Sequence, residues 1–314
     1  EILNLLQISI DAAVKFVFME VSSIGYCEGR LGDLMYNYCV LTNLESDHLD
    51  YHNNIRNYHL SKINLIKNHK LHNSVLFLQD SKFNRRFLNF KNKLITQSIF
   101  LSKNKISINK KKFDKFQISV GVNSYNIHTF NDFMVKNIVT VLMVYKKINK
   151  EFPLKLNKSL FPPGRSEIIY NKKNKVIIID YAHSKDAYEN LLSKLPLSNK
   201  KVVIVYGCGG DRDKIKRPQI AKVVSKYTNM QIITDDNPRN EDPAMIREIL
   251  VKNSSNPIEV PSRRMAIKFG INFIKKNGGI LVIAGKGHEE TQTYKNKNHR
   301  FNDKVISSNY AKNL

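Results

Sequence analysis

Charged and amide side chains collect in two turns in the second half of the chain. They are Asp211 and Arg212 in the first turn, and Asp236, Asn237 and Arg239 in the second. A guanidinium group grips a carboxylate through two parallel hydrogen bonds, and aspartate or asparagine accepts from an ammonium group. These side chains therefore suit a ligand that has both ammonium and carboxylate groups. The alternative is a solvated charged loop, because turns favour Asp, Asn and Pro in any case.

Each turn follows an apolar run that has the length of a buried strand. Val202–Tyr206 precedes the first turn, and Gln231–Thr234 precedes the second. Two further runs, Lys175–Ile179 and Ile280–Ala284, also end in polar residues. In a parallel α/β sheet, ligands bind outside the carboxyl ends of the strands. The sequence therefore predicts that all four polar ends lie at one edge of a mostly parallel sheet.

Helical patterns alternate with these strands. Ser184 and Asp242 are predicted helix N-caps, the second with a proline at the first helical position. Further helices are predicted over about 218–227 and 262–276, the last one ending at a Gly-Gly pair. This alternation of strands and helices is typical of a sheet covered by helices. The consecutive prolines Pro162 and Pro163 disfavour a helix and place a domain boundary there, giving domains 1–161 and 162–314.

Polar residues also follow two strand-like runs near the start of the chain. Lys15–Met19 is followed by Glu20 and Ser22, and the run at 38–41 is followed by a segment that contains His48. Glu20 and His48 on adjacent strand ends could share a hard cation. Ser22 equally suits the N-cap of a helix, which is the interpretation that we favour for it alone.

The remaining first-half elements are predicted from periodicity. Helices are expected over about 55–67 and 133–145, and strands at 75–78 and 116–120. Lys62 lies on the first of these helices, where a lysine is ordinarily solvated.

Composition limits the classes of function. The 314 residues include 51 Lys plus Arg and 27 Asp plus Glu, for a net charge of +24. Such a charge raises the question of a nucleic-acid partner, but the lysines are interleaved with Asn and Ile along the whole chain, without a zinc-finger or RNP-like motif. Compositional bias explains the charge, and we expect no nucleic-acid partner.

The cysteines and the hydropathy indicate the cellular compartment. Cys27, Cys39 and Cys208 show no metal or CxxC spacing, which suits a reducing cytosol. No apolar run is long enough to span a bilayer. We expect a cytoplasmic protein without a membrane partner. The chain does not begin with Met, and we expect a fragment or a chain that lacks its front part.

Seven short segments, in order along the chain, resemble the Mur ligase family, and specifically its diaminopimelate-adding MurE branch. They are MEVSS (Met19–Ser23), TNLESDHLDYH (Thr42–His52), PGR (Pro163–Arg165), DYAH (Asp180–His183), GCGGDRDKIKRP (Gly207–Pro218), TDDNPRNEDP (Thr234–Pro243) and GKGHE (Gly285–Glu289). Each segment alone is a weak signal, but seven in order are a strong one. The resemblance implies an α/β protein with a truncated central ATPase domain and a Rossmann-like C-terminal domain.

The resemblance also implies an ATP-dependent amide ligase of peptidoglycan precursor synthesis. The D-Glu γ-carboxylate of UDP-MurNAc-L-Ala-D-Glu would be phosphorylated by ATP to an acyl phosphate. The amine of meso-diaminopimelate would then attack and release phosphate. Mg²⁺ would neutralise charge on the phosphoryl group that is transferred.

Site residues follow from the matched motifs. Glu20 and His48 would hold Mg²⁺, and Lys62 matches the family's carbamylated lysine, which helps to bind a second Mg²⁺ and replaces the solvated interpretation. Three residues match contacts of the UDP-muramyl peptide: Ser22, Glu28 and Arg30. Three match the ATP site: Arg165, Asp180 and His183. Seven match the meso-diaminopimelate site: Arg212, Asp236, Asn237, Pro238, Arg239, Gly285 and Glu289.

The chain also departs from the family pattern. Glu28 stands where relatives have a Gln that contacts substrate, Ile24 stands where many have His, and the region from about 82 to 158 matches poorly. No Gly-rich loop followed by Lys-Thr or Lys-Ser occurs in the 314 residues, although such a loop cradles ATP phosphates in the family. We therefore expect little or no ligase activity from this chain alone, with the front half trimmed, encoded separately or lost.

Three alternative functions are kept open. The first is a catalytically inactive remnant of a ligase that at most binds diaminopimelate. The second is a folylpolyglutamate synthase, which shares fold and acyl-phosphate chemistry but takes glutamate; the DNPR and GKGHE segments argue against it. The third is a basic nucleic-acid-binding module, whose binding would be strongly salt-dependent.

Overall fold

The structure is a computed structural model. It describes residues 2–42, 49–68, 71–78, 97–99, 106–156, 161–197, 201–295, 297–312 and 314, with side chains left undescribed at 49–50, 66–68, 71–78 and 97–99. The chain divides into two compact units. The first comprises Glu1–Val75 and Ser81–Gln97, and the second Leu76–Asp80 and Ser98–Leu314. Among the described residues, no helix is long and apolar enough to cross a membrane.

The first part of the chain contains short helices and a small sheet. The helices are α1 (Ile2–Asp11), α2 (Ser23–Cys27), α3 (Leu49–His52) and α4 (Ile55–Asn68). The strands are β1 (Tyr36–Leu41), β2 (Leu71–Leu78) and β3 (Gln97–Ile99), in the order β1-β2-β3. The predicted strand ending at residue 41 and the predicted helix from residue 55 are confirmed.

Two predictions for the residues around position 20 have opposite outcomes. The strand predicted over Lys15–Met19 is wrong, because these residues form no strand. An apolar run becomes a strand only where a neighbouring strand takes up its backbone hydrogen bonds, and here Phe16 and Phe18 are exposed. Ser22 is the N-cap of α2, as favoured, and its Oγ accepts a hydrogen bond of 3.0 Å from the Gly25 N–H.

The second unit begins with an antiparallel sheet and a long helix. Strands β4 (Ile106–Lys112), β5 (Lys115–Val120) and β6 (Asn123–Ile127) pair in that order, and α5 (Asp132–Asn149) follows. The sheet is amphipathic, because alternate residues of β5 are buried. Its buried face and α5 share one apolar core. Asn131 caps α5 by accepting a hydrogen bond of 3.0 Å from the Phe133 N–H.

A six-stranded sheet forms the centre of the second half. Its strands are β7 (Glu167–Lys172), β8 (Lys175–Asp180), β9 (Val202–Tyr206), β10 (Met230–Ile233), β11 (Pro257–Glu259) and β12 (Gly279–Ala284). The order is β11-β10-β9-β12-β8-β7, and all neighbours are parallel except β7 with β8. Every residue of β9 and β12 is buried, which explains their uninterrupted apolar sequences. The predicted mostly parallel sheet is confirmed.

Helices cover both faces of this sheet. On one face lie α6 (Lys185–Leu192), α7 (Lys216–Tyr227) and α8 (Pro243–Lys252), and on the other α9 (Arg263–Asn277) and α10 (Asp303–Ala311). The N-caps predicted at Ser184 and Asp242 both accept a backbone N–H, and so does Ser262, which caps α9. The α/β fold class predicted from the sequence is therefore confirmed.

Two elements near the C-terminus were not predicted. One is the hairpin of β13 (Thr291–Tyr294) and β14 (Lys297–Arg300), and the other is α10. The hairpin sequence is polar, so it lacks the apolar alternation that marks a half-buried strand. It nevertheless contacts the second turn, since the Arg239 N–H donates to the Thr293 carbonyl at 3.1 Å.

Candidate functional site

The carboxyl ends of four adjacent strands meet at one edge of the six-stranded sheet. The adjacent strands are β8, β12, β9 and β10, and each is followed by one of the four polar turns. The start of antiparallel β7 lies at the same edge, because Glu167 pairs with Ile179 near the end of β8. The predicted common edge is confirmed.

A buried hydrogen-bond network joins the turn after β10 to the turn after β12. The Lys286 ammonium donates to Asn237 Oδ1 at 2.9 Å and to Glu289 Oε2 at 2.7 Å. Asn237 Nδ2 donates to the same Glu289 oxygen at 2.8 Å. The Thr293 N–H of the hairpin donates to Asn237 Oδ1 at 3.0 Å. The hairpin thus helps to fix the predicted ligand groups Asn237 and Glu289.

Glu289 is held in its ionised form. Burial raises its pKa, but the hydrogen bond and charge of Lys286, the hydrogen bond from Asn237 and the charge of Arg239 outweigh burial, so that the pKa is lowered overall. The Glu289 side chain is 29% exposed and can therefore contact a ligand. An ionised, partly buried carboxylate beside an amide is a suitable acceptor for an ammonium group.

Arg239 and Arg212 both lie close to Gly209. The Arg239 Nη1 donates to the Gly210 carbonyl at 2.8 Å, and a Cβ placed on Gly209 would be 2.9 Å from that nitrogen. The same position would be 3.9 Å from Arg212 Cγ. Arg212 is exposed. Both side chains therefore pass close to one glycine, and the charge of Arg239 lowers the pKa of Glu289.

The first and second turns pack backbone against backbone. A Cβ on Gly210 would be 1.9 Å from the Pro238 carbonyl oxygen, so no other residue fits there. The Gly210 N–H donates to the Asn237 carbonyl at 2.9 Å. Pro238 therefore contributes to this edge of the sheet through its backbone carbonyl, which packs against Gly210.

Arg217 and Glu241 hold the first turn in place. Both guanidinium NH₂ groups of Arg217 donate to the Glu241 carboxylate, at 2.8 and 3.0 Å, and one of them also donates to the Gly209 carbonyl at 3.2 Å. The Asp211 N–H donates to Glu241 at 2.7 Å. The hydrogen bond from Arg217 is the largest of the influences that lower the pKa of Glu241 to about 2, against partial burial, which raises it.

Asp236 and Gly285 are in close contact. A Cβ on Gly285 would be 2.5 Å from Asp236 Oδ2, and Gly285 has a φ of +111°. The Gln292 side chain donates to the Asp236 carbonyl at 2.8 Å. The neighbouring Asp235 is bound by Arg247 and by the Tyr294 hydroxyl, at 2.8 Å for the latter. The turn after β10 is therefore fixed by the hairpin as well as by its own helix.

Two of the residues predicted for ATP, Asp180 and His183, lie at the end of β8, and the third, Arg165, precedes β7. Asp180 accepts from the Ser166 N–H at 2.7 Å, from the Ser166 hydroxyl at 3.1 Å and from the Ala182 N–H at 2.7 Å. Burial raises the pKa of Asp180, although these hydrogen bonds oppose the rise. Asp180 thus holds the segment that carries Arg165. Arg165 is exposed, and its guanidinium carbon lies 4.4 Å from the Tyr181 ring centroid.

The groups around Tyr181 fit an anionic, ring-containing nucleotide. The exposed His183 and His288 rings lie 4.9 and 5.3 Å from the Tyr181 ring, measured between centroids. Gly164 and Gly287 hold the two neighbouring segments in contact, because a Cβ on Gly164 would be 2.3 Å from the Gly287 carbonyl carbon. A guanidinium group, two imidazoles and an aromatic face are thereby presented together.

Three predicted residues of the first unit line one cavity. Glu20, Ser22 and Arg30 border a space of about 340 Å³ whose other walls are largely apolar side chains of α1 and of residues 17–19. Glu28 forms an ion pair with Arg30. The carboxylate that stands in place of the family's glutamine is therefore an exposed partner for the guanidinium that was predicted to contact the muramyl peptide.

The fit of the first unit to Mg²⁺ is partial. Glu20 is exposed and offers hard oxygen ligands, whereas His48 lies outside the described residues. The Lys62 ammonium lies 4.6 Å from the Tyr58 ring centroid, and an ammonium group does not bind a cation unless carbamylation converts it to an anion. In the described part of the chain, no group of three or more His, Cys, Asp or Glu residues could hold a metal ion.

Three features near this edge of the sheet were not predicted from the sequence: the burial of Lys286, the position of Tyr181, and the buried ion pair of Arg263 with Asp303. Lys286 and both members of the ion pair are fully buried or nearly so, and Arg263 donates to Asp303 at 2.7 and 2.9 Å. A lysine between two glycines gives no sign of burial in the sequence. The Tyr-Ala-His sequence after β8 was a usable signal for Tyr181, because an aromatic residue at a strand end often faces the ligand edge.

Comparisons with known proteins agree with this geometry. Residues 1–145 match the family model of the Mur ligase middle domain, and residues 164–287 match that of the Mur ligase glutamate ligase domain. The chain therefore belongs to the Mur ligase family. The domain boundary predicted after residue 161 falls between the two matched stretches and stays a prediction.

Among curated proteins, the chain is similar to two enzymes named UDP-N-acetylmuramoyl-L-alanyl-D-glutamate--2,6-diaminopimelate ligase. It is 34% identical to that of Anaplasma marginale, with 93% of this chain and 64% of the relative covered. It is 34% identical to that of Clostridium tetani, with 98% of this chain and 65% of the relative covered. The chain thus spans slightly less than two thirds of the length of these relatives.

Solved structures give the same fold. A structure of UDP-N-acetylmuramoyl-L-alanyl-D-glutamate--2,6-diaminopimelate ligase has a TM-score of 0.53 and 28% identity, with 94% of this chain and 64% of that chain covered. The MurF ligase of Thermotoga maritima, in complex with ADP, has a TM-score of 0.60 and 14% identity, with 93% and 64% covered. At that identity the second likeness shows the fold alone, as does one to a Thermotoga maritima folylpolyglutamate synthase at 16% identity.

Proposed function

We propose that this chain supplies the amino-acid-binding part of an ATP-dependent ligase that adds meso-diaminopimelate to UDP-MurNAc-L-Ala-D-Glu in cytoplasmic peptidoglycan precursor synthesis. The observation that carries the proposal is the placement of Asn237, Arg239 and Glu289 at one sheet edge. The names of the relatives support the choice of substrates. Nucleic acid and membrane are not among the proposed partners.

The amino-acid site offers a complementary group for each end of meso-diaminopimelate. The Glu289 carboxylate can accept a hydrogen bond from an ammonium group, and Asn237 supports it by donating to that carboxylate. Arg239 and Arg212 supply guanidinium groups for carboxylates. L-Lysine lacks the second carboxylate and leaves one guanidinium without its partner, which costs about 1–3 kcal/mol.

The reaction requires that a carboxylate become an electrophile. The D-Glu γ-carboxylate oxygen takes the γ-phosphoryl group of ATP, which yields an acyl phosphate and ADP. The neutral amine of meso-diaminopimelate then attacks the carbonyl carbon and forms a C–N bond. The C–O bond to the phosphoryl group breaks, and phosphate leaves with the proton that the amine loses. Mg²⁺, when bound, neutralises charge on the phosphoryl oxygens.

The chain's own residues bind and orient the reactants. The site around Glu289 orients the incoming amino acid, which lowers the entropic cost of the attack. Arg165 and His183 are proposed to contact ATP, and Glu20, His48 and Lys62 to hold Mg²⁺, the lysine as its carbamate. Ser22 and Arg30 are proposed to contact the muramyl peptide. The ATP phosphates need a backbone loop that these residues do not provide, and we propose that it comes from a segment outside these 314 residues, on the same or a separate polypeptide.

Isothermal titration calorimetry tests the amino-acid site. Meso-diaminopimelate is expected to bind at least about 10-fold more tightly than L-lysine, because a buried hydrogen-bonding site penalises an analogue that lacks the matching group. Equal affinity for the two amino acids would overturn the substrate assignment.

An assay of ADP release tests the ligase activity. The chain is incubated with ATP, Mg²⁺, UDP-MurNAc-L-Ala-D-Glu and meso-diaminopimelate, alone and after addition of the N-terminal third of a relative. Diaminopimelate-dependent ADP release that appears on addition supports the ligase. Binding of meso-diaminopimelate with no gain on addition, and no binding of ATP, would identify an inactive remnant instead.

A further inference from the structure

Lys286 is a fully buried lysine in the middle of the amino-acid site. Its side chain is 0% exposed, and its ammonium group donates to Asn237 and Glu289. Lysines are almost never fully buried unless they are paired. A residue without exposed surface does not touch a ligand, so its effect on binding must pass through the two side chains that it contacts.

The donors around Asn237 fix the orientation of its amide. Lys286 Nζ and the Thr293 N–H can only donate, so the atom that they share must be the amide oxygen. Glu289 is an ionised acceptor, so the atom that faces it must be the amide NH₂ group. The orientation of the amide therefore follows from the chemistry of its neighbours.

The two carboxylate oxygens of Glu289 differ in their hydrogen bonds. Oε2 accepts from both Lys286 and Asn237. Among the described residues, none donates a hydrogen bond to Oε1, and the Glu289 side chain is 29% exposed. Oε2 is thus committed to the protein, whereas Oε1 can still accept a hydrogen bond from a ligand.

We infer that Lys286 is a positioning residue for the amino-acid substrate: it holds Asn237 and Glu289 so that Glu289 presents a single carboxylate oxygen to the ligand ammonium group. This inference rests on the proposed function. Without Lys286, the Asn237 amide loses one of the two donors that orient it, and Glu289 loses its nearest positive charge. The other charged or titratable groups that act on Glu289 are Arg239 on the turn after β10 and Tyr181 on the turn after β8.

The primary test is Lys286→Met, which keeps an unbranched side chain and removes the ammonium group. Its control is Lys252→Met, which removes the same charge from an exposed position on α8. Calorimetry is expected to show that Lys286→Met weakens binding of meso-diaminopimelate by about 10-fold or more, as is typical for a lost charged hydrogen bond. Lys252→Met is expected to leave the affinity unchanged, and thermal unfolding of both variants checks that they fold.

A double-mutant cycle separates positioning from a general structural role. If Lys286 acts through Glu289, Lys286→Met should weaken binding much less in a Glu289→Gln background than in the wild-type chain. Equal losses in the two backgrounds, or a lower melting temperature with unchanged affinity, would show that Lys286 only braces the fold and would overturn the inference.

The titration of Glu289 in the ligand-free chain decides the inference independently of the proposed function. Carboxyl ¹³C NMR is expected to show Glu289 titrating at higher pH in Lys286→Met than in the wild-type chain. An unchanged titration would overturn the inference. Failure of the wild-type chain to bind meso-diaminopimelate would instead overturn the proposed function, and the NMR result would still report whether Lys286 controls Glu289.

Discussion

At the scale of single residues, recognition depends on groups whose orientation the protein has already fixed. Arg239 is a clear example, because one nitrogen of its guanidinium is held by the Gly210 carbonyl while its backbone is bound to the hairpin. The remaining N–H groups therefore point in set directions. A lysine has the same charge but lacks the planar fork.

Arg239→Lys is expected to reduce the preference for meso-diaminopimelate over L-lysine. The affinity for meso-diaminopimelate should fall by about 10-fold, since one two-pronged contact is lost, while the affinity for L-lysine should change little. Calorimetry with both amino acids measures the ratio, and L-lysine is the internal control. A parallel loss for both ligands would assign Arg239 to the carboxylate that they share.

Glu241 makes the second unit sensitive to acid. Its folded-state pKa of about 2 lies below the ordinary value of 4.5, chiefly because of Arg217. A lowered folded-state pKa adds stability above pH 4.5 that is lost as the pH falls toward 2. The free energy of unfolding should therefore decrease over this interval by about 1–2 kcal/mol from this group, allowing for solvent screening.

The matched variant is Glu241→Gln. It is expected to lose about 2–4 kcal/mol at neutral pH, because the buried Arg217 is left without its counter-charge, and its stability should depend less on pH between 4.5 and 2 than that of the wild-type chain. Urea denaturation at a series of pH values measures both effects. The same acid dependence in the variant and the wild-type chain would contradict this role.

At the scale of elements, glycines allow the turns to reach each other. Gly210 lies so close to Pro238 that a methyl group would overlap the carbonyl oxygen. Gly210→Ala should therefore separate the first and second turns and weaken amino-acid binding by at least about 10-fold, with a loss of about 1–3 kcal/mol in stability. Gly121→Ala is the control, because Gly121 has a positive φ of +57° but open space around its Cβ position. Equal effects of both variants would argue against the overlap.

Sequence patterns predicted the elements whose stability is local or continuous. The β9 and β12 runs were found because their residues are apolar almost throughout. Ser184 and Asp242 were found because a capping residue directly precedes each helix. The hairpin of β13 and β14 was missed because its role lies in contacts with a turn far away in sequence. The strand at 15–19 was wrong because hydrophobicity alone does not supply a pairing partner.

The same distinction applies to the site. Asn237, Arg239 and Glu289 were expected near one another because strand ends of a parallel sheet meet at one edge, and they do lie together. Their binding roles stay predictions. The burial of Lys286 depends on three separate segments closing around it, which no local pattern encodes.

At the scale of the whole molecule, a buried ion pair joins elements on one face of the six-stranded sheet. Arg263 at the start of α9 binds Asp303 at the start of α10 with two hydrogen bonds, and also donates to the Ala284 carbonyl at 2.9 Å. Both side chains are fully buried. The end of β12, which leads into the turn with Lys286 and Glu289, is thus connected to the last helix.

Asp303→Asn is expected to destabilise the chain by about 3–5 kcal/mol, because Arg263 would remain buried and charged without its partner. The double variant Arg263→Met with Asp303→Leu should be less destabilised than the single one, since no charge is left in the core. Urea denaturation followed by circular dichroism compares them. A double variant at least as unstable as the single one would contradict this explanation.

The hydrogen bond from the Thr293 backbone to Asn237 has a consequence for the evolution of substrate choice. Every substitution at position 293 except proline keeps this main-chain N–H, so position 237 is expected to keep offering it an acceptor. Aspartate would meet that demand but would set a second negative charge against Glu289. Lineages that change their amino-acid preference through position 237 are therefore expected to alter position 286 or 289 in the same step, and these three positions should covary.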